Sequence, residues 1–195
     1  MSTTKIGNIK KNAIIESVIQ IIGEKGISSV THREVAKRTG VSLSSTTYYF
    51  KSREEMIESA YTELIQNSVD RHNDLIERLK TRKASLEEIT AMYLTDMLGI
   101  KSQERIKIIA ILELQLESAR SGKYRKLLRK FRETNQSLLR MMLKKEYRDS
   151  NAVREVSMLL GGLVTEQLST PWKNFKNDIL NIVVKKYFDF TNLKI

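Results

Sequence analysis

The stretch THREVAKRTGVSLSSTTYYFKSR, which begins at Thr31, constrains the fold more than any other part of the chain. Thr31 and Glu34 have the spacing of a capping box, in which a hydroxyl and a carboxylate satisfy free amides at a helix start. Gly40 stands where this first helix must end, because glycine adopts the left-handed conformation most easily. Ser42 caps a second predicted helix, which ends near Phe50. Two short helices joined by such a turn predict a helix-turn-helix unit, whose second helix enters the DNA major groove.

Small hydroxyl side chains dominate the second helix. Ser44, Ser45, Thr46 and Thr47 are poor helix formers and are unusual in a buried element. On a helix that lies on DNA, hydroxyls donate to phosphates and base edges, and small side chains let the backbone approach. A solvated Ser/Thr-rich turn is the alternative interpretation, and the residues around the helix favour the DNA-reading one.

Four groups of residues, in this helix and on either side of it, occur at fixed spacings. They are Val35-Ala36, Gly40-Val41-Ser42, Tyr48-Tyr49-Phe50 and Ser52-Arg53-Glu54-Glu55-Met56. Together they resemble the DNA-binding domain of TetR-type transcriptional repressors over about the first 60 residues. The resemblance implies a regulator that binds double-stranded DNA as a homodimer and is released by a small molecule.

The resemblance also implies which side chains meet DNA. Leu43, Ser44 and Ser45 are expected to face bases in a near-palindromic operator with half-sites about 34–36 Å apart. The expected phosphate contacts are Thr31, Thr47, Tyr48, Lys51 and Arg53. The predicted DNA-binding set is completed by His32, Arg33 and Ser42.

The net charge of +11 agrees with a polyanionic partner, although most of the excess lies outside the helix-turn-helix. Residues 1–50 hold seven Lys/Arg against three Asp/Glu, whereas residues 123–148 hold ten against two. The basic helix at 123–148 is interpreted as a solvated face that attracts DNA at long range. A second nucleic-acid surface, or a surface for an acidic partner, is the alternative hypothesis.

Composition argues against several other classes of protein. The chain has no cysteine, which excludes disulfides and thiolate metal sites. No run approaches about 18 uncharged apolar residues, and the first residues lack an apolar signal core, so neither a membrane span nor secretion is expected. A cytoplasmic location is expected on these grounds.

Signals for catalysis are poor. The chain has two histidines, of which His32 is expected near phosphate and His72 is expected to be solvated. No Gly-rich phosphate loop, nucleophile elbow or metal-ligand spacing is present. We therefore expect no enzyme, no metal and no cofactor, with a helical enzyme as a distant alternative.

Helical periodicity continues along the chain and predicts an all-α protein. The expected helices outside the helix-turn-helix span residues 10–25, 52–80, 85–99, 102–120, 123–147, 151–169 and 172–190. An N-terminal three-helix helix-turn-helix domain, residues 1–52, is expected to precede a helical-bundle domain for ligand binding and dimerisation, residues 53–195.

The first predicted helix has two features of its own. Gly23 lies inside it and is interpreted as a mild defect, worth roughly 1 kcal/mol against alanine. Lys5, Lys10 and Lys11 precede or open the helix. They form either a basic arm that reaches DNA or a frayed, solvated terminus.

The second part of the chain resembles the same family more loosely. The run from Leu112 to Leu128 is similar to the family's central helices, and Gly162-Leu163 to a pair often seen in the penultimate helix. The resemblance implies homodimerisation through residues 151–190, where two adjacent glycines allow close helix approach. The alternative is that the apolar residues of these helices fill the monomer core.

Two pairs of residues, each one helical turn apart, are candidates for a ligand site in the bundle. Tyr93 is paired with Met97, and Glu113 with Glu117. A buried carboxylate would favour a cationic or hydroxyl-bearing ligand. The alternative is that both glutamates pair with surface Lys or Arg, and that Met97 belongs to the core.

These features predict a sequence-specific transcriptional regulator, in the first instance a repressor released from its operator by a small-molecule effector. The alternative is a DNA-binding protein of the same fold without such an effector, controlled by a protein partner or organising DNA.

Overall fold

The computed structural model of the chain describes residues 3–97, 102–171, 175, 179 and 183–188, and these are predominantly helical. The N-terminal elements are α1 (Thr3–Lys25), a 3₁₀ turn (Ile27–Ser29), α2 (His32–Thr39), α3 (Leu43–Tyr49) and α4 (Arg53–Lys80). They are followed by α5 (Leu86–Met97), α6 (Ser102–Ser121), α7 (Arg125–Met142), α8 (Ser150–Ser169) and a helical turn at Lys185–Tyr187. No strand is found among the described residues, and the predicted all-α class is confirmed.

Side-chain caps set several helix starts at the predicted residues. Thr31 Oγ1 accepts a hydrogen bond from Glu34 N at 3.1 Å and begins α2. Ser85 and Glu88 form a capping box before α5 in which both hydrogen bonds are present. Glu88 N donates to Ser85 Oγ at 3.1 Å, and Ser85 N donates to Glu88 Oε2 at 2.7 Å. These caps satisfy amides that have no partner inside their own helix, which is why the boundaries could be predicted.

Two helix boundaries differ from the prediction by more than two residues. Helix α1 begins at Thr3 rather than at residue 10, so the predicted basic arm is part of a helix. Helix α7 ends at Met142 rather than at residue 147, because Lys144 leaves the helical conformation and its N–H donates to Tyr187 O at 2.9 Å. The predicted end of the 85–99 helix and most of the 172–190 helix lie outside the described residues.

The chain divides into two compact units. Unit 1 consists of Met1–Ser68 and Ser102–Arg129, and unit 2 of Val69–Lys101 and Lys130–Ile195. This division differs from the expected boundary between residues 52 and 53. It arises because α6 packs against α1 and so belongs to the same unit as the helix-turn-helix.

Gly23 makes the packing of α1 on α6 possible. A Cβ atom at this position would lie 2.3 Å from the carbonyl oxygen of Ile106 and 2.7 Å from its Cγ2. Atoms of a closely packed interior cannot overlap to this extent. The interpretation of Gly23 as a mild defect is therefore wrong, because only glycine fits between the two helices.

Helical spacing predicts that Ile109, Leu112 and Leu116 form the buried face of α6. The structure buries a different face. Ala110 and Leu114 are fully buried, whereas Leu116 is 51% exposed and Ile109 and Leu112 are only partly buried. Apolar residues occupy every position from 108 to 112, so the pattern leaves several helix faces equally apolar. Contact with α1, which periodicity does not report, selects the face.

Unit 2 has a core of its own. Its fully buried side chains on α5, α7 and α8 include Ile89, Leu94, Leu138, Leu139 and Val156. Leu143 and Phe188 form an isolated antiparallel bridge that ties the segment after α7 to residues 183–188. Among the described residues, no helix has both the length and the apolar character needed to cross a membrane.

Candidate functional site

The turn between α2 and α3 has the predicted geometry. Gly40 adopts φ 72° and closes α2, as only glycine does readily. Ser42 then accepts from Ser45 N at 3.1 Å and begins α3. On the inner side of α3, Thr46 is fully buried and its hydroxyl donates to Leu43 O at 2.8 Å. The inner face is therefore satisfied and packed, which fixes the outer face toward solvent.

Large side chains are exposed to solvent on the outer face of α3. Tyr48 is 72% exposed and Leu43 is 47% exposed. The Tyr48 ring meets Tyr49 edge to face at 5.2 Å, and Lys51 Nζ lies 5.8 Å from the Tyr48 ring centroid. An exposed aromatic hydroxyl beside an ammonium group suits contact with DNA phosphates.

The hydroxyls of α3 form a local network. Ser42 Oγ lies 2.9 Å from Ser44 Oγ and 2.8 Å from Ser45 Oγ, and Thr47 Oγ1 donates to Ser44 O at 3.1 Å. Each serine hydroxyl has one donor and two acceptor positions, so the network leaves capacity for DNA. The order of these hydrogen bonds orients Ser44 and Ser45 before any DNA is bound.

Two ion pairs hold α2 on α1. Lys25 Nζ lies 2.7 Å from Glu34 Oε1, and the two terminal nitrogens of Arg38 each lie 2.7 Å from an oxygen of Glu24. The hydrogen bond from Arg38 lowers the pKa of Glu24. With α2 fixed in this way, Thr31 and Arg33 remain exposed at its start.

His32 and the start of α1 lie beside the same region. His32 is half-buried, and its Nδ1 has no hydrogen-bond partner within the part of the chain that the structure describes. A Cβ on Gly7 would lie 3.6 Å from the Tyr49 hydroxyl, and Lys11 Nζ lies 5.7 Å from the Phe50 ring centroid. The basic start of α1 thus adjoins α3, and its contact with DNA stays a prediction.

Arg53 has a structural task in addition to its predicted phosphate contact. Its Nε donates to Val30 O at 2.8 Å and its Nη2 donates to Ile27 O at 2.6 Å. Its Nη1 lies 3.4 Å from Glu54 Oε1. Arg53 therefore ties the first turn of α4 to the segment that leads into α2.

We expect Arg53→Ala to lower the free energy of unfolding by about 2 kcal/mol, because two partly buried carbonyl oxygens lose their charged donor. Urea denaturation measures the change. Arg33→Ala is the matched control, since Arg33 is exposed and its loss should alter stability by less than about 0.5 kcal/mol. Unaltered stability in Arg53→Ala would contradict the structural task.

The candidate ligand residues fall in different units. Tyr93 and Met97 lie on α5 in unit 2, whereas Glu113 and Glu117 lie on α6 in unit 1. Tyr93 is buried and donates to Asn135 Oδ1 at 2.9 Å, and burial raises the pKa of Tyr93 to about 12. Met97 is half-buried.

His72 joins Tyr93 in an aromatic cluster that the sequence analysis missed. The imidazole lies 6.0 Å from the Tyr93 ring and is stacked 5.9 Å from the Phe131 ring. Its Nδ1 is buried, so the expectation that His72 is solvated is wrong. The sequence does indicate this burial, because His72 is three residues from both Val69 and Leu75. This spacing places His72 on the buried face of α4 with those two residues.

In unit 1 the two glutamates lie beside a buried tyrosine. Tyr61 is fully buried, and its ring meets that of Tyr124 edge to face at 5.4 Å. Burial raises the pKa of Tyr61 strongly, and the carboxylates of Glu113 and Glu117 add to that effect. These glutamates are half-buried. Among the described residues, neither forms the surface ion pair with Lys or Arg that the alternative interpretation expects.

Comparison with known protein families shows which family the chain belongs to. The family described as "Bacterial regulatory proteins, tetR family" matches residues 14–60, and that described as "Tetracyclin repressor-like, C-terminal domain" matches residues 84–185. The chain belongs to the TetR family. The resemblance carried by residues 35–56 is thereby confirmed, and the second family match extends it through the helical part of the TetR-family chain.

Individual relatives of this TetR-family chain are distant. The HTH-type transcriptional regulator BetI of Rhizobium meliloti is 25% identical over 84 residues, which are 43% of this chain and 40% of that protein. A transcriptional regulator from Saccharomonospora viridis, solved with choline, is 17% identical with a TM-score of 0.74, covering 94% of this chain and 100% of that one. The multidrug binding protein EbrR, solved with proflavin, is 26% identical with a TM-score of 0.55, covering 84% and 92%.

The buried imidazole of this TetR-family protein predicts acid sensitivity. Burial, with a smaller contribution from Arg71, lowers the pKa of His72 from 6.5 to about 4. Between these values the unfolded chain binds a proton that the folded chain does not, so stability rises with pH in this window. We expect the free energy of unfolding to fall by about 2 kcal/mol between pH 6.5 and pH 4 on account of His72.

Urea titrations at several pH values, on the wild type and on His72→Phe, measure this contribution. Phenylalanine keeps the stack on Phe131 and cannot be protonated, so the variant should lose less stability in acid than the wild type. Identical pH profiles for the two proteins would mean that His72 is accessible to protons in the folded state.

Proposed function

We propose that this TetR-family chain is a transcriptional repressor that binds operator DNA as a homodimer and leaves it when a small molecule binds. The observation that carries the proposal is α3, whose inner face is buried and whose outer face exposes Leu43 and Tyr48. Exposed large side chains on a rigid second helix are what a major-groove reader needs. The name of BetI, a transcriptional regulator, supports the same class of function.

The proposed contacts divide by chemistry. Leu43, Ser44 and Ser45 read bases from the outer face of α3. Phosphates are held by residues around this face, namely Thr31, His32, Arg33, Ser42, Thr47, Tyr48, Lys51 and Arg53. Backbone contacts of this kind set the position of α3, and the base contacts set the sequence preference.

The surface of α8 supports the proposed homodimer through residues 151–190. Met158 is 69% exposed, which is unusual for a large apolar side chain. Gly161 and Gly162 follow one turn later, and a Cβ on either would meet no atom within 4 Å. Together with the exposed Thr165 they form a face that a second copy of α8 can approach closely.

Two observations support an effector. Proteins of related fold have been solved with choline and with proflavin, and this supports a small-molecule effector for this chain. In this chain, His72 Nδ1 and the Tyr61 hydroxyl are buried without a hydrogen-bond partner among the described residues. Unpartnered buried polar atoms are rare in folded proteins, and such atoms are available to a bound ligand.

The test is selection of bound sequences from random duplex DNA by the purified protein at physiological salt. A two-fold symmetric consensus is expected, because a symmetric dimer presents two copies of α3 to two half-sites. Salt-sensitive binding without a consensus would instead favour a protein that organises DNA. Absence of binding at low salt would overturn the proposal.

A further inference from the structure

The hydroxyl of Tyr61 is the most unusual polar group in unit 1. Tyr61 is fully buried, and its hydroxyl has no hydrogen-bond partner among the described residues. A buried hydroxyl that lacks a partner destabilises the folded chain unless something else supplies one. The Tyr61 hydroxyl is therefore available to a bound ligand.

Two carboxylates of α6 lie near enough to Tyr61 to raise its pKa. Glu113 and Glu117 lie one turn apart and both act electrostatically on Tyr61. Within the part of the chain that the structure describes, neither carboxylate has an ion pair or a hydrogen bond. Because both are only half-buried, a molecule from solvent can reach them. Two neighbouring anions without a counter-ion attract a cation.

Tyr124 closes the cluster with a strained backbone. It has φ 64°, shortly after Gly122 with φ 73°, and this turn directs its ring against Tyr61. A left-handed conformation is unfavourable for tyrosine, so the surrounding structure must hold it there. Burial raises the pKa of Tyr124, and the carboxylates of Glu58 and Glu117 contribute in the same direction. Among the described residues, glutamates around the two rings outnumber the one cation, Arg53, whose charge opposes the rise of the Tyr61 pKa. This excess of negative charge favours cation–π contact.

We propose that Tyr61, Tyr124, Glu113 and Glu117 bind a protonated amine or amidine. Its N–H groups donate to the Tyr61 oxygen and to the two carboxylates, and its apolar part packs on the Tyr124 ring. The proposal rests on the proposed ligand-released repressor and names the chemical class of its effector. The aromatic cluster of unit 2 does not suit a cation, since its carboxylate, Asp96, already lies 2.7 Å from Arg71 Nη1.

The cluster lies next to the segment that leads into the helix-turn-helix. A Cβ on Gly26 would lie 4.0 Å from Glu113 Oε1, and Gly26 directly precedes the 3₁₀ turn whose Ile27 carbonyl accepts from Arg53. The Glu113 carboxylate is therefore close to Gly26, and a cation that draws this carboxylate toward Tyr61 moves it relative to Gly26. The site is therefore placed to alter α2 and α3 within a single compact unit.

Calorimetric titration of the full chain without DNA tests the site, with benzamidine and benzamide as probes. These two planar molecules have nearly the same shape, but only benzamidine carries a positive charge at pH 7. We expect benzamidine to bind at least about tenfold more tightly than benzamide, because charge-assisted hydrogen bonds are the stronger ones. Equal affinities, or no binding of benzamidine, would overturn the proposal.

Variants locate the binding. The double variant Glu113→Gln with Glu117→Gln should lower the affinity for benzamidine at least about tenfold. The double variant Glu87→Gln with Glu133→Gln removes the same charge from two exposed positions and should leave this affinity unchanged. Tyr61→Phe should weaken benzamidine about threefold to tenfold and should not lower the melting temperature of the unliganded chain. Equal effects of the two double variants would show that net charge, not the site, attracts the probe.

A failure of this assignment and a failure of the proposed repressor function give different results. DNA selection measures that function without any amine or amidine present, so a symmetric consensus together with no benzamidine binding would overturn only this assignment. Binding of benzamidine by a chain that selects no DNA sequence would overturn only the repressor. If benzamidine releases the protein from its selected operator, that result would support both the repressor function and the cation site.

Discussion

Replacing Gly23 with alanine is expected to lower the free energy of unfolding by about 3 kcal/mol. The new Cβ would overlap the carbonyl oxygen and the Cγ2 atom of Ile106, so α1 and α6 must separate along their contact. Backbone cannot move aside as a flexible side chain can, and overpacking of this kind typically costs about 1–3 kcal/mol or more. Urea denaturation followed by circular dichroism measures the change.

Gly7→Ala is the matched control in the same helix. A Cβ on Gly7 would make an ordinary contact of 3.6 Å with the Tyr49 hydroxyl. The substitution should therefore be neutral or should stabilise the protein by about 0.5–1 kcal/mol, because alanine is the better helix former. If Gly23→Ala were tolerated as well as Gly7→Ala, the close packing of α1 on α6 would be wrong.

Replacing Tyr48 with alanine is expected to weaken DNA binding about 30- to 100-fold. The side chain is 72% exposed, so its removal should change stability by less than about 0.5 kcal/mol. What it removes is a hydroxyl and an aromatic surface on the outer face of α3, beside the ammonium of Lys51. Fluorescence anisotropy with the selected operator and with an unrelated duplex measures both affinities.

The pattern of the two affinities identifies the kind of contact. Because a phosphate contact carries no sequence information, Tyr48→Ala should weaken binding to both duplexes. Tyr48→Phe retains the ring and should show only the part of the loss that belongs to the hydroxyl. Wild-type affinity in Tyr48→Ala would mean that the outer face of α3 is not the DNA-binding surface.

Local rules explain why the helix-turn-helix could be predicted from the sequence. The cap at Thr31, the left-handed Gly40 and the cap at Ser42 each depend on residues within four positions. Such interactions can be predicted from neighbouring residues in the sequence. The same holds for the complete box of Ser85 and Glu88.

Contacts between distant segments account for what the sequence analysis missed. The role of Gly23 depends on Ile106, and the end of α7 depends on the carbonyl of Tyr187. The ring cluster around His72 likewise joins α4 to α5 and α7. No periodicity reports which remote residue will lie opposite a given side chain, because tertiary contact selects among several apolar faces.

The separation of inner and outer residues on α3 has a consequence for how such regulators diverge. Thr46 and Phe50 are buried and secure the helix, whereas Leu43, Ser44 and Tyr48 leave the interior intact when they change. Mutations at the outer positions therefore meet little selection for folding. A duplicated gene could acquire new target promoters through these few codons while its protein product keeps the same architecture.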